Sequence, residues 1–443
     1  MPPFHPLIQP TGRPKVLIVG AGLAGITLAI LLEKAGVPYD VYERATEVKP
    51  LGAALYIGPN MAPLFHQIGI YDEFVSRAKS CHSIDIFDEQ RQPSFTIELG
   101  DTKEIGGFVG YVLPRSSLYE ILLKQVPSER VHMGKKVLST LQNENGVMIR
   151  CSDGSTVEGD ILVGADGAYS GVRQSLFQRL KKDGHLPGSD MECLPYSCVR
   201  LVGHSDQLDP AKFPEMKDQA CHFTHTLADD KPYSWLTWTT ADDRICWGVN
   251  QYLDKKSIKD NDTFRNTEWR AEMTEAMCKE VRGFSIPGGD GTLTLGDLID
   301  NTPKKNISKV MLEEKVNPAG AQGALLAFHD AIALANWINI LPSTSIEDAE
   351  MIFKEYRDER MPYAKGANTQ GHTMAQVSAT GIKASIIRYF VKNIPAFVQR
   401  SFQTKNVATR PQVSFLPLVE DKGTVKPAHQ PSLHKTLEIL QKR

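Results

Sequence analysis

The stretch Lys15-Val16-Leu17-Ile18-Val19-Gly20-Ala21-Gly22-Leu23-Ala24-Gly25-Ile26 decides the fold of this chain. Lys15 to Val19 is a short β-branched run that ends in glycine, and it reads as a buried strand. From Ile26 to Ala35 the apolar residues Ile26, Leu28, Ala29, Leu31 and Leu32 keep a helical spacing, and Gly36 supplies the stop. Tyr39 to Tyr42 reads as a second strand, which completes a βαβ unit of about 30 residues. A GxGxxG turn alone is a weak signal. Here it leaves a strand and opens a helix, which is the Rossmann-type context for a dinucleotide. Gly20 permits the tight turn, Gly22 the close approach of a phosphate, and Gly25 the close packing of helix on sheet. The free N–H groups of the first helical turn face an anion there. Glu43 follows Gly25 by 18 residues, where a carboxylate accepts the ribose hydroxyls of an adenosine.

Outward from this unit, further strands are expected at Ser83 to Phe87, Phe95 to Leu99, Gly146 to Cys151 and Asp160 to Val163, with a helix at Ser116 to Gln125. Met191 to Val249 is rich in Tyr, Trp, Thr and Val and lacks helical periodicity, which predicts an antiparallel sheet. Gln322 to Ile338 returns to helical spacing, and from about Arg410 onward Pro, Lys and Ser predict fading order. The fold class is therefore α/β, with a Rossmann-type dinucleotide-binding domain made discontinuous by a β-rich insertion. The expected boundaries are a disordered leader over 1–14 and the first part of the dinucleotide domain over 15–190. That part includes small strands near 83–112 that belong with the insertion. The β-rich domain follows over 191–285, the second part of the dinucleotide domain over 286–380, and a C-terminal helix with an extended tail over 381–443.

Bulk properties exclude several function classes. The 443 residues are 41% hydrophobic and carry a net charge of -2, so no basic field argues for nucleic acid. Seven scattered cysteines fit a reducing compartment better than a disulfide framework. Cys221, His222 and His225 lie close together but lack the spacing of a metal site. No apolar run is long enough to span a bilayer. Ile386 to Phe402 mixes Ile, Tyr, Phe and Val with Arg388, Lys392 and Arg400. It reads first as an amphipathic helix against the protein body and second as a membrane-surface helix. The expected location is cytoplasmic, with room for peripheral membrane contact.

Two further constellations carry chemistry. Asp160 to Gly167 reads D-I-L-V-G-A-D-G, a strand running into a small-residue turn with Asp166 at its end. Pro318-Ala319-Gly320-Ala321-Gln322-Gly323-Ala324 is a loop small enough to bring backbone against a flat ring, and a helix N-terminus follows it. Alone, the first is also a plain turn before a helix and the second a small-residue packing start.

Together the motifs resemble the FAD-dependent, single-component aromatic-hydroxylase-like monooxygenases (group A), and most closely the fungal ones. The residues that carry the resemblance are the GAGLAG loop with Glu43-Arg44, Leu51-Gly52-Ala53, Gly58-Pro59-Asn60, Arg115 in Leu113-Pro114-Arg115-Ser116, the GADGAYSGVR run, and PAGAQG with the helix after it. They cover roughly residues 15 to 375. The resemblance implies FAD as cofactor and NADPH as a transient reductant, with O2 supplying the oxygen that hydroxylates or epoxidises an apolar or aromatic small molecule. It implies that Gly20, Gly22, Gly25 and Glu43 hold the adenosine and pyrophosphate half of FAD. It also implies that Gly52 and Arg115 contact the flavin's ribityl or adenosine side, that Asp166 helps form the FAD groove, and that Gly323 and Ala324 sit near the isoalloxazine.

One departure stands against this pattern. The family's strand ending in Gly-Asp, whose Asp bonds the ribityl chain, is expected just before the Pro-Ala-Gly loop. Here Ile307 to Val316 runs directly into Asn317-Pro318, and Gly296-Asp297 lies too far upstream for the role. The alternative function is thus a catalytically impaired or non-enzymatic relative. Arg200 and Tyr196, in the expected β-rich domain, are the candidate catalytic residues. Trp235, Trp238 and Trp247 suit an apolar pocket, though tryptophan in such a domain is more often core.

Overall fold

The computed structural model describes residues 12–47, 53–100, 102–144, 146–167, 170–185, 196–229, 231–253, 271–313, 322–378 and 382–442. Its first sheet grows from the quoted stretch. Val16–Val19 is fully apolar and buried along its length, as a strand covered on both faces must be. It pairs in parallel with Tyr39–Tyr42 on one side and with Ile161–Gly164 on the other. Val131–His132 adds a fourth parallel strand beside Tyr39–Tyr42. The Leu23–Ala35 helix stops at Gly36, whose φ of 68° is the left-handed cap.

Each face of this sheet has its own cover. On one face Ile26, Ile30 and Leu31 join Phe65, Leu118, Phe328 and Trp337 in a single core, so the helix of the first βαβ unit packs with the Gln322–Asn339 helix. On the other face Leu17, Val19 and Tyr42 pack on Val147, Ile149 and Cys151. These belong to an antiparallel meander of Val137–Asn143, Gly146–Cys151 and Thr156–Gly159.

The second large sheet has seven strands, in the order Ser308–Glu313, Tyr196–His204, Arg244–Tyr252, Tyr233–Thr240, Phe223–Leu227, Ser83–Phe87 and Pro93–Glu98. Its strands alternate between two apolar environments. Val199, Leu201, Trp235, Trp247 and Val249 face the Ala271–Val281 and Leu295–Asp300 helices. Leu236, Trp238 and Cys246 face a small sheet made of Ala54–Ile57, Tyr111–Pro114 and Lys79–Ser80. Trp235 and Trp247 are core residues, as the plainer reading of the tryptophans has it.

Several expectations are adjusted by this arrangement. The small strands meet the second sheet through parallel pairing of Ser83–Phe87 with Phe223–Leu227. Ser308–Glu313 also joins that sheet, so the chain is still in it well after residue 285. Gly296-Asp297 lies in the Leu295–Asp300 helix, where Asp297 closes a capping box on Thr294, so it is no sheet-end Gly-Asp. The expectation of fading order after Arg410 is wrong. Arg410 is buried and ion-paired to Asp421, Val413 is completely buried, and Asn336 bonds Gln412 and Ser414 at 2.9–3.0 Å. The Pro431–Gln441 helix then sits on the Gln322–Asn339 helix. Composition misled here because prolines and lysines in this segment alternate with anchors that need a partner elsewhere in the fold.

Candidate functional site

Three strand ends converge on the glycine turn. Val19 is in register with Tyr42 on one side and Gly164 on the other, so Gly20, Glu43 and Ala165-Asp166 emerge at the same carboxyl edge. In parallel sheets ligands bind at such an edge, where the chain turns to opposite sides of the first strand. The glycines divide the work. A Cβ on Gly20, whose φ is +104°, would strike the carbonyl of Ala165, and one on Gly25 would strike the carbonyl of Gly20. A Cβ on Gly22 would meet no atom within 4 Å, so this glycine borders open space at the helix N-terminus. That helix has no side-chain cap, which leaves its first N–H groups for an anion.

Glu43 is held by two backbone donors: Ala21 N–H gives to Oε2 at 2.8 Å and Ala45 N–H gives to Oε1 at 2.8 Å. Both oxygens keep a further lone pair for a diol. Tyr119 lies within the field of both Glu43 and Arg115; its phenol is pushed up by burial first and by Glu43 next, with Arg115 opposing. Arg115 opens the Arg115–Leu123 helix, donates its N–H to Ala53 O at 3.1 Å, and has its pKa lowered by burial. Asp166 Oδ2 accepts from Gly171 and Val172 N–H, which caps the Gly171–Lys182 helix. Its Oδ1 is buried with no hydrogen-bond partner among the described residues, an acceptor of the kind that a ligand donor satisfies.

Gly323 and Ala324 lie in the first turn of the Gln322–Asn339 helix and are half-buried. Ala324 packs on the same core as the glycine-turn helix. Gly52 and the Pro318–Ala321 loop lie outside the described residues. The expected Gly-Asp strand has no counterpart next to Ile161–Gly164: among the described residues the outer edge of that strand is unpaired, with Leu162 and Val163 half-buried.

A second group of polar residues lies on the inner face of the large sheet. Arg200 is directly opposite Asn250, and its Nε–H donates to Asn250 Oδ1 at 2.6 Å. Asn250 Nδ2 donates to Ser234 Oγ at 3.1 Å, and Ser234 Oγ is 3.1 Å from the Tyr252 hydroxyl. Burial lowers the Arg200 pKa, and the groups that oppose this are Cys198 and Tyr252. His225 is buried with Nε2 unpartnered among the described residues, and burial, aided by Arg200, pushes its pKa down to about 3. It is a neutral imidazole at ordinary pH. Tyr196 heads the same strand opposite Glu313, and its side chain lies outside the described residues.

The Ala54–Ile57 strand stands between the two groups. Leu55 and Ile57 pack on the core of the first sheet, whereas Ala54 and Tyr56 pack on Leu236, Trp238 and Cys246. Sequence reasoning missed His225, Asn250, Ser234 and Tyr56. Strand alternation could have put Ser234 with Trp238 and Arg200 with Cys198, but the opposition of Arg200 to Asn250 needs the register. Of the doubted metal cluster, His222 Nε2 is 2.6 Å from Asp218 Oδ2, and His225 faces Arg200 instead.

Comparison with known proteins agrees with this fold. Residues 13–195 match the FAD binding domain family FAD_binding_3. Over 94% of its length, the chain is 28% identical to the FAD-dependent monooxygenase ausM of Penicillium brasilianum, covering 90% of that protein. It is 34% identical to the 3-amino-4-hydroxybenzoate 2-monooxygenase PtmB3 of Streptomyces platensis over a shorter segment, 39% of this chain and 44% of that protein. Its fold is similar to that of P. aeruginosa PqsL in complex with 2-aminobenzoylacetate, with a TM-score of 0.60 at 20% identity, covering 85% of this chain and 99% of the other.

Proposed function

We propose that this chain is a flavoprotein monooxygenase that uses NADPH and O2 to hydroxylate or epoxidise an apolar or aromatic small molecule, as in secondary metabolism. Its FAD binding domain match over residues 13–195 and its 28% identity to the FAD-dependent monooxygenase ausM support this reading. The observation that carries this reading is the Ala54–Ile57 strand, which has the nucleotide cradle's core on one face and the buried polar ladder's sheet on the other. Bound flavin supplies the chemistry, the activation of O2 by a reduced isoalloxazine for transfer of one oxygen atom. The chain's own residues bind, orient and exclude water.

In this reading Glu43 holds the adenosine ribose, Gly22 and the helix N-terminus hold the pyrophosphate, and Arg115, Gly52 and Asp166 hold the middle of the cofactor. Gly323 and Ala324 border the ring. Arg200, kept in plane by Asn250, directs an oxygen of the substrate, with Tyr196 as the second candidate. His225 is too depressed in pKa to carry a proton at neutral pH, and its Nε2 accepts a hydroxyl hydrogen of the substrate. Phe223, Leu236 and Trp238 keep water out. The FAD-binding body is residues 15–190 without the 83–98 strands, resumed at 322, and the substrate body spans 196–313. The six described cysteines, all free and buried, support a reducing, cytoplasmic setting.

A second reading, a flavin-binding chain of weakened turnover, is supported by the outer edge of Ile161–Gly164, which is bare among the described residues. The missing carboxylate contact to the ribityl chain costs about 1.5–3 kcal/mol of FAD binding. The deciding experiment is reconstitution of the purified protein with excess FAD, followed by NADPH oxidation with and without aromatic candidates. Failure to retain any flavin absorbance overturns both readings. Retention without substrate-stimulated NADPH oxidation selects the second.

A further inference from the structure

From Arg360 to Val419 the chain contains no Asp or Glu but eight Lys and Arg, in a protein with 52 acidic residues over 443. Two consecutive helices lie in this stretch, Ile382–Lys392 and Ala396–Ala408, broken by Asn393-Ile394-Pro395. Their inner sides are anchored. Gln403 Nε2 donates to Glu98 O at 2.9 Å, Val407 is buried, and Arg388 turns inward toward Asp229 at 3.8 Å. Their outer sides carry large apolar groups in water: Phe397 is 75% exposed, Tyr389 and Phe390 are each 66% exposed, and Ile386 and Phe402 exceed half. Four of the five exposed aromatic side chains among the described residues fall between 389 and 402. Lys392, Arg400 and Lys405 are exposed on the same pair of helices. Acidic groups from neighbouring elements reach its edges: Glu104 is 3.4 Å from Arg400, Asp229 3.8 Å from Arg388, and exposed Glu98 lies beside Gln403.

We propose that the exposed face of these two helices docks on an anionic lipid bilayer and lies in its interface. Aromatic side chains with amphipathic surroundings settle at the headgroup level, and Lys and Arg in excess over carboxylates, as Lys392 and Lys405 add here to the paired Arg400, are drawn to acidic leaflets. No helix among the described residues is long and apolar enough to cross a membrane, so the contact is in the plane of the surface. The break at Pro395 leaves each helix free to present its own stripe: Ile386, Tyr389 and Phe390 on the first, Phe397 and Arg400 on the second. The sequence favoured packing against the protein body for this segment. The structure gives that role to the opposite sides only.

The test uses the full-length protein and sedimentation with vesicles of phosphatidylcholine alone or with about one-third phosphatidylserine. The expected result is partitioning onto the mixed vesicles at least roughly tenfold above the neutral ones, falling as salt rises. The double variant Phe390→Ser/Phe397→Ser loses about tenfold or more in partitioning. Lys392→Gln, Arg400→Gln and Lys405→Gln each lose about fivefold and flatten the salt dependence. Unchanged melting temperature and flavin content show that these variants fold. Equal binding to both vesicle types, or no loss in the Phe variant, overturns the proposal. So does a concentration-dependent dimer that the Phe variant converts to monomer, which assigns the face to a second copy of the chain.

Discussion

Gly22→Ala separates a ligand-facing glycine from a structural one. Gly22 has φ of -71° and ψ of -177°, a conformation that alanine adopts without strain. Its Cβ would meet no atom within 4 Å. In the flavin-free protein two small effects oppose each other. Reduced freedom of the unfolded chain stabilises by about 0.4–1 kcal/mol, and replacing glycine by alanine at a helix N-cap costs about 0.5–1 kcal/mol. The melting temperature therefore stays within a few degrees. With FAD bound the same Cβ occupies the space through which the pyrophosphate approaches the helix N–H groups. Each charge-assisted bond lost costs about 1.5–3 kcal/mol, so Kd for FAD rises roughly 10- to 100-fold. Gly25→Ala behaves differently, because its Cβ strikes the Gly20 carbonyl and destabilises the protein without any ligand. Titration of flavin fluorescence, paired with melts of the flavin-free proteins, reads both quantities. FAD binding by Gly22→Ala within twofold of the parent, at unchanged stability, would refute a pyrophosphate at this helix.

Other consequences are measurable in the same preparations. Glu43→Ala removes the acceptor of two N–H bonds and weakens FAD about tenfold, while binding of FMN, which lacks the adenosine, is unaffected; equal loss for both flavins counts against the ribose role. Arg200→Met keeps FAD affinity, because the guanidinium lies in the other sheet, but raises KM or lowers turnover about 10- to 100-fold, and steady-state kinetics with unchanged values would remove Arg200 from the site. His204, His225 and His329 are pushed down to about 4, 3 and 3 by burial. Each is lowered, so the unfolded chain binds more protons below its ordinary value near 6.5, and stability falls as pH drops from there toward the folded values. The slope is up to about 1.4 kcal/mol per pH unit for each histidine, and chemical denaturation of His225→Gln at pH 4–7 should show a shallower one. Asn336→Ala breaks the bonds that hold Gln412 and Ser414 and costs about 2–4 kcal/mol, with earlier proteolysis after Arg410 as the local sign.

The adenosine half of the candidate site was legible because its parts are contiguous. Strand, glycine turn, helix and Glu43 lie within 30 residues, and short-range sterics and the helix terminus dictate their arrangement. The Arg200 ladder was half legible: alternation along Tyr196–His204 puts Arg200 on one face, but Asn250 arrives from a strand fifty residues away. The tail was misread because Val413 and Ser414 are held by Gln67 and Asn336, from helices far earlier in the chain, and composition counts prolines without knowing what lies beneath them.

By itself the sequence determined that a strand, glycine turn and helix begin at Lys15, that Glu43 follows the second strand, and that no Gly-Asp stands just before the Pro318 loop. These are properties of local backbone geometry and of residues simply being present or absent. Only the tertiary structure decided which strand ends meet at the glycine turn, that the outer edge of Ile161–Gly164 is bare among the described residues, that Ser308–Glu313 belongs to the second sheet, and that the aromatic face of residues 386–402 points outward. Each of those depends on pairing or packing between segments distant in the chain, where the free energy lies in register and burial and not in any residue's own preference.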